Sequence, residues 1–392
     1  MGKWLLAVVL AAFVFDEAAV CQSKAPQPKW KLQYFYDQYG KNLRITDMAF
    51  PSVARGIAVG EIVNRDGRRP QYTAVVTSDA GTRWSLVPLK EFPRSVFFLN
   101  ESAGWLVTDQ SIWFTDEAGR SWKRLGEQIK PNRKLDRAPN AGLLLRVWFL
   151  DAQHGYGVGW QKSVYETRDG GRTWKPVEEA AKPLTGAAYS VYSQIAFADD
   201  RLGLIAGGYQ PPRADAFSRD GLPDWLAPER AIRRLQQPLI SIELETRDGG
   251  TRWNAGAAPV FGSIERLRLV GRMGLAIFTY ADSFQWPSEV YHLDLTSGKS
   301  RSVFKDKDRR VTDAAIFPDG SAILAAVEPP GRLRSAPIPG KVKMLTSQDL
   351  ATWTEMAVDY RAVAQRLVMA GPDKQHLWAA TDTGMILRLV NP

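Results

Sequence analysis

The chain reads as all-β, a seven-bladed β-propeller of four-stranded antiparallel blades whose last blade is closed by the N-terminal strand. Three observations predict this. An eight-residue turn motif recurs along the chain, a glycine-led apolar strand precedes each copy, and the final repeat lacks one strand while the chain starts with one to spare. Self-similarity at this period marks one supersecondary unit stacked repeatedly.

The motif runs threonine, any, acid, any, glycine, two more residues, tryptophan. The fullest copy is Thr167-Arg168-Asp169-Gly170-Gly171-Arg172-Thr173-Trp174. Thr77, Asp79, Gly81 and Trp84 keep the same register, as do Thr246, Asp248, Gly250 and Trp253. Thr115, Glu117, Gly119 and Trp122 exchange the aspartate for glutamate, and Thr346 to Trp353 keeps only its two ends. An acid-x-glycine step between apolar strands is a hairpin turn. The carboxylate accepts from nearby amides, glycine takes the positive φ, and the tryptophan opens the next strand with a large packing surface. This is the Asp-box pattern, and its acids are read as structural.

Ahead of the turns stand Gly56-Ile57-Ala58-Val59-Gly60, Gly104-Trp105-Leu106-Val107, Gly155-Tyr156-Gly157-Val158-Gly159 and Gly203-Leu204-Ile205-Ala206-Gly207. Similar strands at 274–278, 320–325 and 377–380 lack a good box; in the fifth unit Asp294 to Lys299 makes the outer hairpin. Four short strands per unit is the propeller pattern. The seventh unit, 362–390, stops after three strands, and Trp30 to Tyr36 supplies the fourth. That pairing removes two open sheet edges.

The predicted organisation is a signal peptide at 1–21, a linker at 22–29 and one propeller domain at 30–392. A basic start and the apolar run Trp4 to Phe15 are too short to span a bilayer and read as an export signal, with Ala19-Val20-Cys21 before the cut. Lipid attachment at Cys21 is a second reading, weakened by Val20 and Ala18 at the neighbouring positions. The chain is therefore expected outside the cytoplasm, periplasmic or secreted. Cys21 is the lone cysteine, so apolar burial rather than disulfides must hold the body; 45% hydrophobic residues and fourteen tryptophans suffice. No cofactor or metal is expected, since His154, His292 and His376 lie far apart in sequence.

The spacing from glycine strand to box is 11 and 12 residues in the second and third units but 21, 43 and 26 in the first, fourth and sixth. The extra residues fall between the second and third strands, on the face opposite the boxes. Variable loops on one face of a rigid array are where binding is expected. The segments 64–71, 125–142, 209–238 and 328–341 hold fifteen basic against eight acidic residues, most of the chain's net charge of +9. Arg65, Arg68, Arg69, Arg133, Arg137, Arg213, Arg230, Arg233, Arg234, Arg332 and Arg334 form the expected partner-binding face. It suits an acidic protein or an anionic membrane surface; solvated loops on a basic protein are the alternative. Pro228 to Gln236 reads as a short helix with proline in its first turn. Trp225 and Trp286, in inserted loops, read as caps over the central channel, with partner-contact residues as the second reading.

With tandem glycine strands and Asp-boxes after an export signal, best expressed in Gly155 to Trp174, the chain resembles the photosystem II stability and assembly factor family. It also resembles the wider Asp-box (BNR) repeat proteins. The family resemblance implies a non-enzymatic assembly factor outside the cytoplasm. Its client would be a protein, a membrane-protein precursor, met by basic surface residues. Long insertions and degenerate fifth to seventh units depart from the family's pattern.

Carbohydrate-active enzymes are the alternative, with a surface adhesin as another. Sialidases need an arginine triad and a Tyr–Glu pair. Here Arg44-Ile45-Thr46 is the nearest approach to their Arg-Ile-Pro signature, and Tyr165 and Glu166 are neighbours on one strand, facing opposite ways. Glycosidases of the xyloglucanase type work in a cleft between two propellers, more than this length holds. No catalytic residue is assigned and nucleic acid is not an expected partner.

Overall fold

A computed structural model describes residues 27–64, 69–127, 142–210, 239–256, 261–280, 285–329 and 338–391. Strand β1 (Lys29–Phe35) comes first. Five separate four-stranded antiparallel sheets follow, each in simple up-and-down order. They are β2 to β5 (Lys41–Ala49, Gly56–Asn64, Gln71–Thr77, Ser85–Pro88) and β6 to β9 (Pro93–Phe98, Gly104–Thr108, Ser111–Thr115, Lys123–Glu127). Next come β10 to β13 (Leu144–Phe149, Gly155–Gly159, Val164–Thr167, Lys175–Pro176) and β14 to β17 (Ser190–Phe197, Gly203–Tyr209, Ile240–Thr246, Asn254–Gly256). The fifth is β18 to β21 (Ser263–Val270, Met273–Thr279, Ser288–Asp294, Lys299–Lys305).

The remaining strands form one larger sheet. β22 to β25 (Arg310–Ile316, Ala322–Glu328, Gly340–Ser347, Thr354–Val358) carry the short β26 (Val363–Ala364) on β24. β27 to β29 (Leu367–Ala370, Trp378–Thr381, Met385–Val390) complete the chain. The order is β22-β23-β24-β25-β1-β29-β28-β27. β1 is the joint: it runs antiparallel to β29, with Trp30 opposite Leu389, and parallel to β25 over Lys29 and Trp30. The parallel contact is absent from the sequence expectation. It follows from burial of Trp30 between these strands, with the Asp359 amide donating to the Trp30 carbonyl at 2.9 Å.

The core is divided rather than continuous. Apolar clusters lie between successive sheets, and one of them joins β27 to β29 back to β2 to β4 through Leu43, Ile45, Phe50, Val75, Trp378 and Ile386. A single device recurs in the first four units. The glycine that opens the second strand leaves room for a phenylalanine ring from the end of the first strand: Phe50 on Gly56, Phe98 on Gly104, Phe149 on Gly155 and Phe197 on Gly203. Two of these rings then stack on an aromatic of the preceding unit. Phe149 meets Trp105 at 3.7 Å between centroids, and Phe50 meets Trp378 at 3.8 Å. Such pairs add roughly 0.5–1.5 kcal/mol beyond area burial.

Two short 3₁₀ turns, Glu178–Ala181 and Ala187–Tyr189, connect β13 to β14. Among the described residues no helix is long and apolar enough to cross a membrane. The helix expected at Pro228 to Gln236 lies outside the described residues, as does the N-terminal segment through residue 26.

Candidate functional site

The eight-residue turns are built alike. Thr167 Oγ1 accepts the Gly171 amide at 2.9 Å, while Asp169 Oδ1 accepts the Arg172 and Thr173 amides at 3.0 and 2.8 Å. Thr77 and Thr246 make the same bond to Gly81 and Gly250, and Asp79 and Asp248 to the amides of Arg83 and Arg252. In the glutamate version, Thr115 still accepts from Gly119, but Glu117 binds the Ser121 hydroxyl instead of an amide. The longer side chain overshoots the turn. Burial raises the Asp169 pKa, but donation from the Thr173 hydroxyl and amide outweighs it and holds the carboxyl at about 2. These acids are engaged in folding the turn.

In the sixth unit the frame differs from the sequence expectation. Ser347, not Thr346, takes the threonine's place: its hydroxyl accepts the Leu350 amide at 2.9 Å, and Asp349 accepts the amides of Ala351 and Thr352. The turn is one residue shorter, and Leu350 adopts the positive φ of 57° that glycine takes elsewhere. Trp84, Trp122, Trp174, Trp253 and Trp353 pack against ring partners that include Phe50, Phe98, Phe149, Phe197 and Phe304.

Strand register places the turns and the insertions at opposite ends. In the first sheet Gly56 pairs with Thr77 at the turn end, and Ile62 with Gln71 at the other, where 65–70 emerges. The same holds for Gly203 with Thr246 against Tyr209 with Ile240. Of the expected basic face, Arg69 is described; it is exposed, with φ 53°. Arg65, Arg68, Arg133, Arg137, Arg213, Arg230, Arg233, Arg234, Arg332 and Arg334 lie outside the described residues, as does Trp225. Trp286 does not cap a channel. Its ring lies 4.3 Å from Lys305 Nζ, a cation–π contact on the outer strand β21. The lysine on the neighbouring outer strand competes better for the indole face than an open mouth does.

The sequence reading missed what the first strands do. Six of them are bulged at corresponding places, leaving Thr46, Arg94, Leu145, Ser193, Glu265 and Thr312 unpaired in their ladders. A bulge adds a residue and re-aims side chains. A glycine five residues into three of the second strands accommodates it. A Cβ on Gly60, Gly159 or Gly207 would collide with the carbonyl oxygen of Arg44, Leu143 or Val191. The bulged residues also stitch sheet to sheet: Thr46 Oγ1 donates to the Pro93 carbonyl at 2.9 Å, and Ser193 Oγ to that of Ile264 at 3.0 Å. All six bulged residues line one cavity of about 270 Å³. Phe92, Thr279 and Arg310 border it too, at strand ends facing the insertion side. This is the central channel.

Its wall is cationic. Arg94, Arg146, Arg266, Arg310 and Arg366 line it with one carboxylate, Glu265, which accepts from the Thr279 hydroxyl at 3.3 Å. Two buried aspartates lie behind. Asp47 accepts the Val96 amide and Arg146 Nη1, both at 3.1 Å. Asp313 accepts Arg268 Nη2 at 2.7 Å and the Met369 amide at 2.8 Å, and lies 3.7 Å from Arg266 Nε. Burial raises the Asp313 pKa, but the charges of Arg268 and Arg266 outweigh this and lower it. Both aspartates follow a bulged threonine in a repeated phrase, Arg44-Ile45-Thr46-Asp47 and Arg310-Val311-Thr312-Asp313. That repetition was the available signal.

Little of this resembles catalytic machinery. His154 Nε2 sits 2.9 Å from Glu166 Oε1 and 3.0 Å from the Tyr156 hydroxyl, which in turn donates to the Gly249 carbonyl at 3.0 Å. That network joins the third and fourth sheets at the turn end, away from the channel mouth. Among the described residues no group of three or more His, Cys, Asp or Glu is arranged to hold a metal ion.

No protein-family model matches the chain. No curated protein matches it either. Solved structures do. One described as YCF48 bound to D1 peptide is 17% identical, with a TM-score of 0.57, over 93% of this chain and 97% of that one. The chain is a β-propeller. YCF48 from Cyanidioschyzon merolae, at 14% identity and a TM-score of 0.56, spans 92% of this chain and 98% of its own. The propeller domain of the Trilobed protease from Pyrococcus furiosus, described as having an open velcro topology, is 14% identical with a TM-score of 0.51. It covers 89% of this chain and 96% of that domain. The resemblance to photosystem II assembly factors read from the repeats thus has a counterpart in three dimensions, since YCF48 is such a factor.

Proposed function

We propose that this chain is an exported, non-catalytic seven-bladed propeller that holds a protein client on the face opposite its Asp-box turns. In this reading β1 closes the seventh blade; support comes from its antiparallel register on β29 and from the apolar cluster linking last sheet to first. The observation that carries the binding role is the arginine-lined channel, whose lining includes strand ends on the side from which the insertions depart. A client segment bearing acidic groups would meet positive charge at the rim and along the channel. The YCF48 structure with a D1 peptide supports a peptide or protein as the kind of client; that the client is a membrane-protein precursor is what the family resemblance of the repeats implies. Export to the periplasm or beyond rests on the N-terminal segment, and the same basic face would tolerate an anionic membrane nearby.

A glycosidase is less well supported. Hydrolysis of that kind uses two carboxylates flanking a cleft, whereas Glu265 is the single carboxylate among the described channel-lining residues.

The test is affinity capture of the full chain from its native envelope fraction in mild detergent, with and without Arg69→Glu, Arg230→Glu, Arg233→Glu and Arg234→Glu. One or a few membrane proteins should co-purify with the native chain and be lost from the charge-reversed one. Capture that is absent, or indifferent to the reversals, refutes the reading.

A further inference from the structure

We infer that the central channel contains a binding site for one free, compact oxyanion, a carboxylate or a phosphate, held by Arg266 and Arg94. The inference does not depend on a client, because its residues belong to the first strands and not to the insertions.

Arg266 is 4% exposed, yet its Nη2 has no hydrogen-bond partner, and Arg94 Nε is buried and unpartnered too. Both residues line the 270 Å³ cavity. A guanidinium is always charged and presents a planar fork of donors. Leaving such a donor buried without an acceptor carries a full desolvation cost. The surrounding charges do not relieve it. Asp313 is shared: Arg268 occupies it with Nε and Nη2, so Arg266 is left with the longer 3.7 Å approach. Burial pulls the Arg266 pKa down, and the like charges of Arg146 and Arg268 add to that against the opposing pull of Asp313 and Asp47. Arg366, whose Nη2 donates to the Thr46 carbonyl at 2.7 Å, is shifted down for the same reasons, burial first and then Arg266. Among the described residues, Arg94, Arg146, Arg266, Arg268, Arg310 and Arg366 face Asp47, Asp313 and Glu265, an excess of positive charge around one space.

A small oxyanion would correct all of this at once. Its oxygens accept from the Arg266 and Arg94 guanidiniums once these turn toward the cavity, Arg266 Nη2 and Arg94 Nε being covered by protein atoms in this structure; the bonds are charge-assisted and of the stronger kind. Its charge offsets the surplus, and the low-dielectric wall strengthens the attraction. The cavity has room for acetate or phosphate with residual water. Thr46, Ser193 and Thr312 hydroxyls stand at the same wall, although their bonds to backbone groups of neighbouring strands are already made.

The experiment titrates acetate, and separately inorganic phosphate, into the full chain at constant low ionic strength in chloride. Isothermal calorimetry and thermal unfolding are read together. One saturable site is expected, with unfolding temperature rising as ligand fills it. Arg94→Gln, which disturbs less of the core, should weaken binding by about tenfold. Arg266→Gln should abolish it, its fold checked by circular dichroism. Arg247→Gln, whose partner is Glu245 and which does not line the channel, should leave binding as it was. Non-saturating, salt-like responses, or binding equal in native, Arg94→Gln and Arg266→Gln chains, would overturn the inference. Client capture unchanged alongside lost anion binding would separate this site from the proposed client surface.

Discussion

Replacing Asp313 by alanine probes a carboxylate on which several strands converge. This carboxylate is fully buried and ties two sheets together, joining β18 to both end strands of the large sheet. It accepts from Arg268 of β18, from the Met369 amide of β27, and from the Ala314 amide of its own strand β22. Removing one partner of a buried ion pair costs about 3–5 kcal/mol, because the other charge is left stranded. Arg268 has a side-chain exposure of 36% and can regain water, whereas Arg266 at 5% cannot. The loss therefore belongs at the lower end, about 3 kcal/mol. Unfolding entropy of about 2.1 cal/mol/K per residue over roughly 360 residues converts this to a fall of about 4 °C in unfolding temperature. Urea unfolding and calorimetry measure both quantities. The double variant Asp313→Ala, Arg266→Met should be less damaged than the sum of its parts by about 1 kcal/mol or more, since the orphaned charge has gone with its partner. A single-variant loss under about 1 kcal/mol, or strict additivity, would refute the claim that these charges depend on one another.

Two other expectations follow from the same geometry. Acid should destabilise the protein in a defined window. Asp169, Asp319, Asp349 and Asp359 are held at about 2 in the folded state, against 3.8 when free, and Asp313 is also lowered. Folded values below unfolded ones mean their stabilisation is complete above about pH 4 and disappears as pH falls toward 2; a urea midpoint that stays constant from pH 5 to 2.5 would contradict this. Trp30→Ala tests the proposed closure by β1. A tryptophan 1% exposed and packed in the cluster between β25 and β29 should cost about 3–5 kcal/mol and, by freeing sheet edges, promote aggregation on heating. Native-like unfolding and light scattering in that variant would show that β1 does not hold the last sheet.

Local chemistry was readable without coordinates. A threonine that accepts an amide four residues on, and an aspartate that accepts the amides after it, are bonds within one turn, so their spacing survives in the linear chain. The exception is instructive. In the sixth unit the tryptophan and Thr346 keep their places but Ser347 does the work, because any short hydroxyl at the strand end can cap the turn. Glutamate at 117 likewise kept the motif's charge without its amide bonds. Strand composition and the surplus N-terminal strand were equally legible, because they depend on alternation and count.

What tertiary structure alone decided is the channel. Thr46, Arg94, Leu145, Ser193, Glu265 and Thr312 come from six sheets, and each looks in sequence like an ordinary strand residue. A bulge is created by pairing with a neighbouring strand, so no single segment announces it. The repeated Arg-Ile/Val-Thr-Asp phrase hinted at two of the six positions. Whether an arginine is solvated or buried against like charges depends on what its neighbours bring, and for Arg266 those neighbours, Asp313, Arg268 and Arg146, include one 120 residues away in the chain. Local hydrogen bonding thus wrote the turns into the sequence, whereas the convergence of distant strands on a common axis set the charge of the space between them.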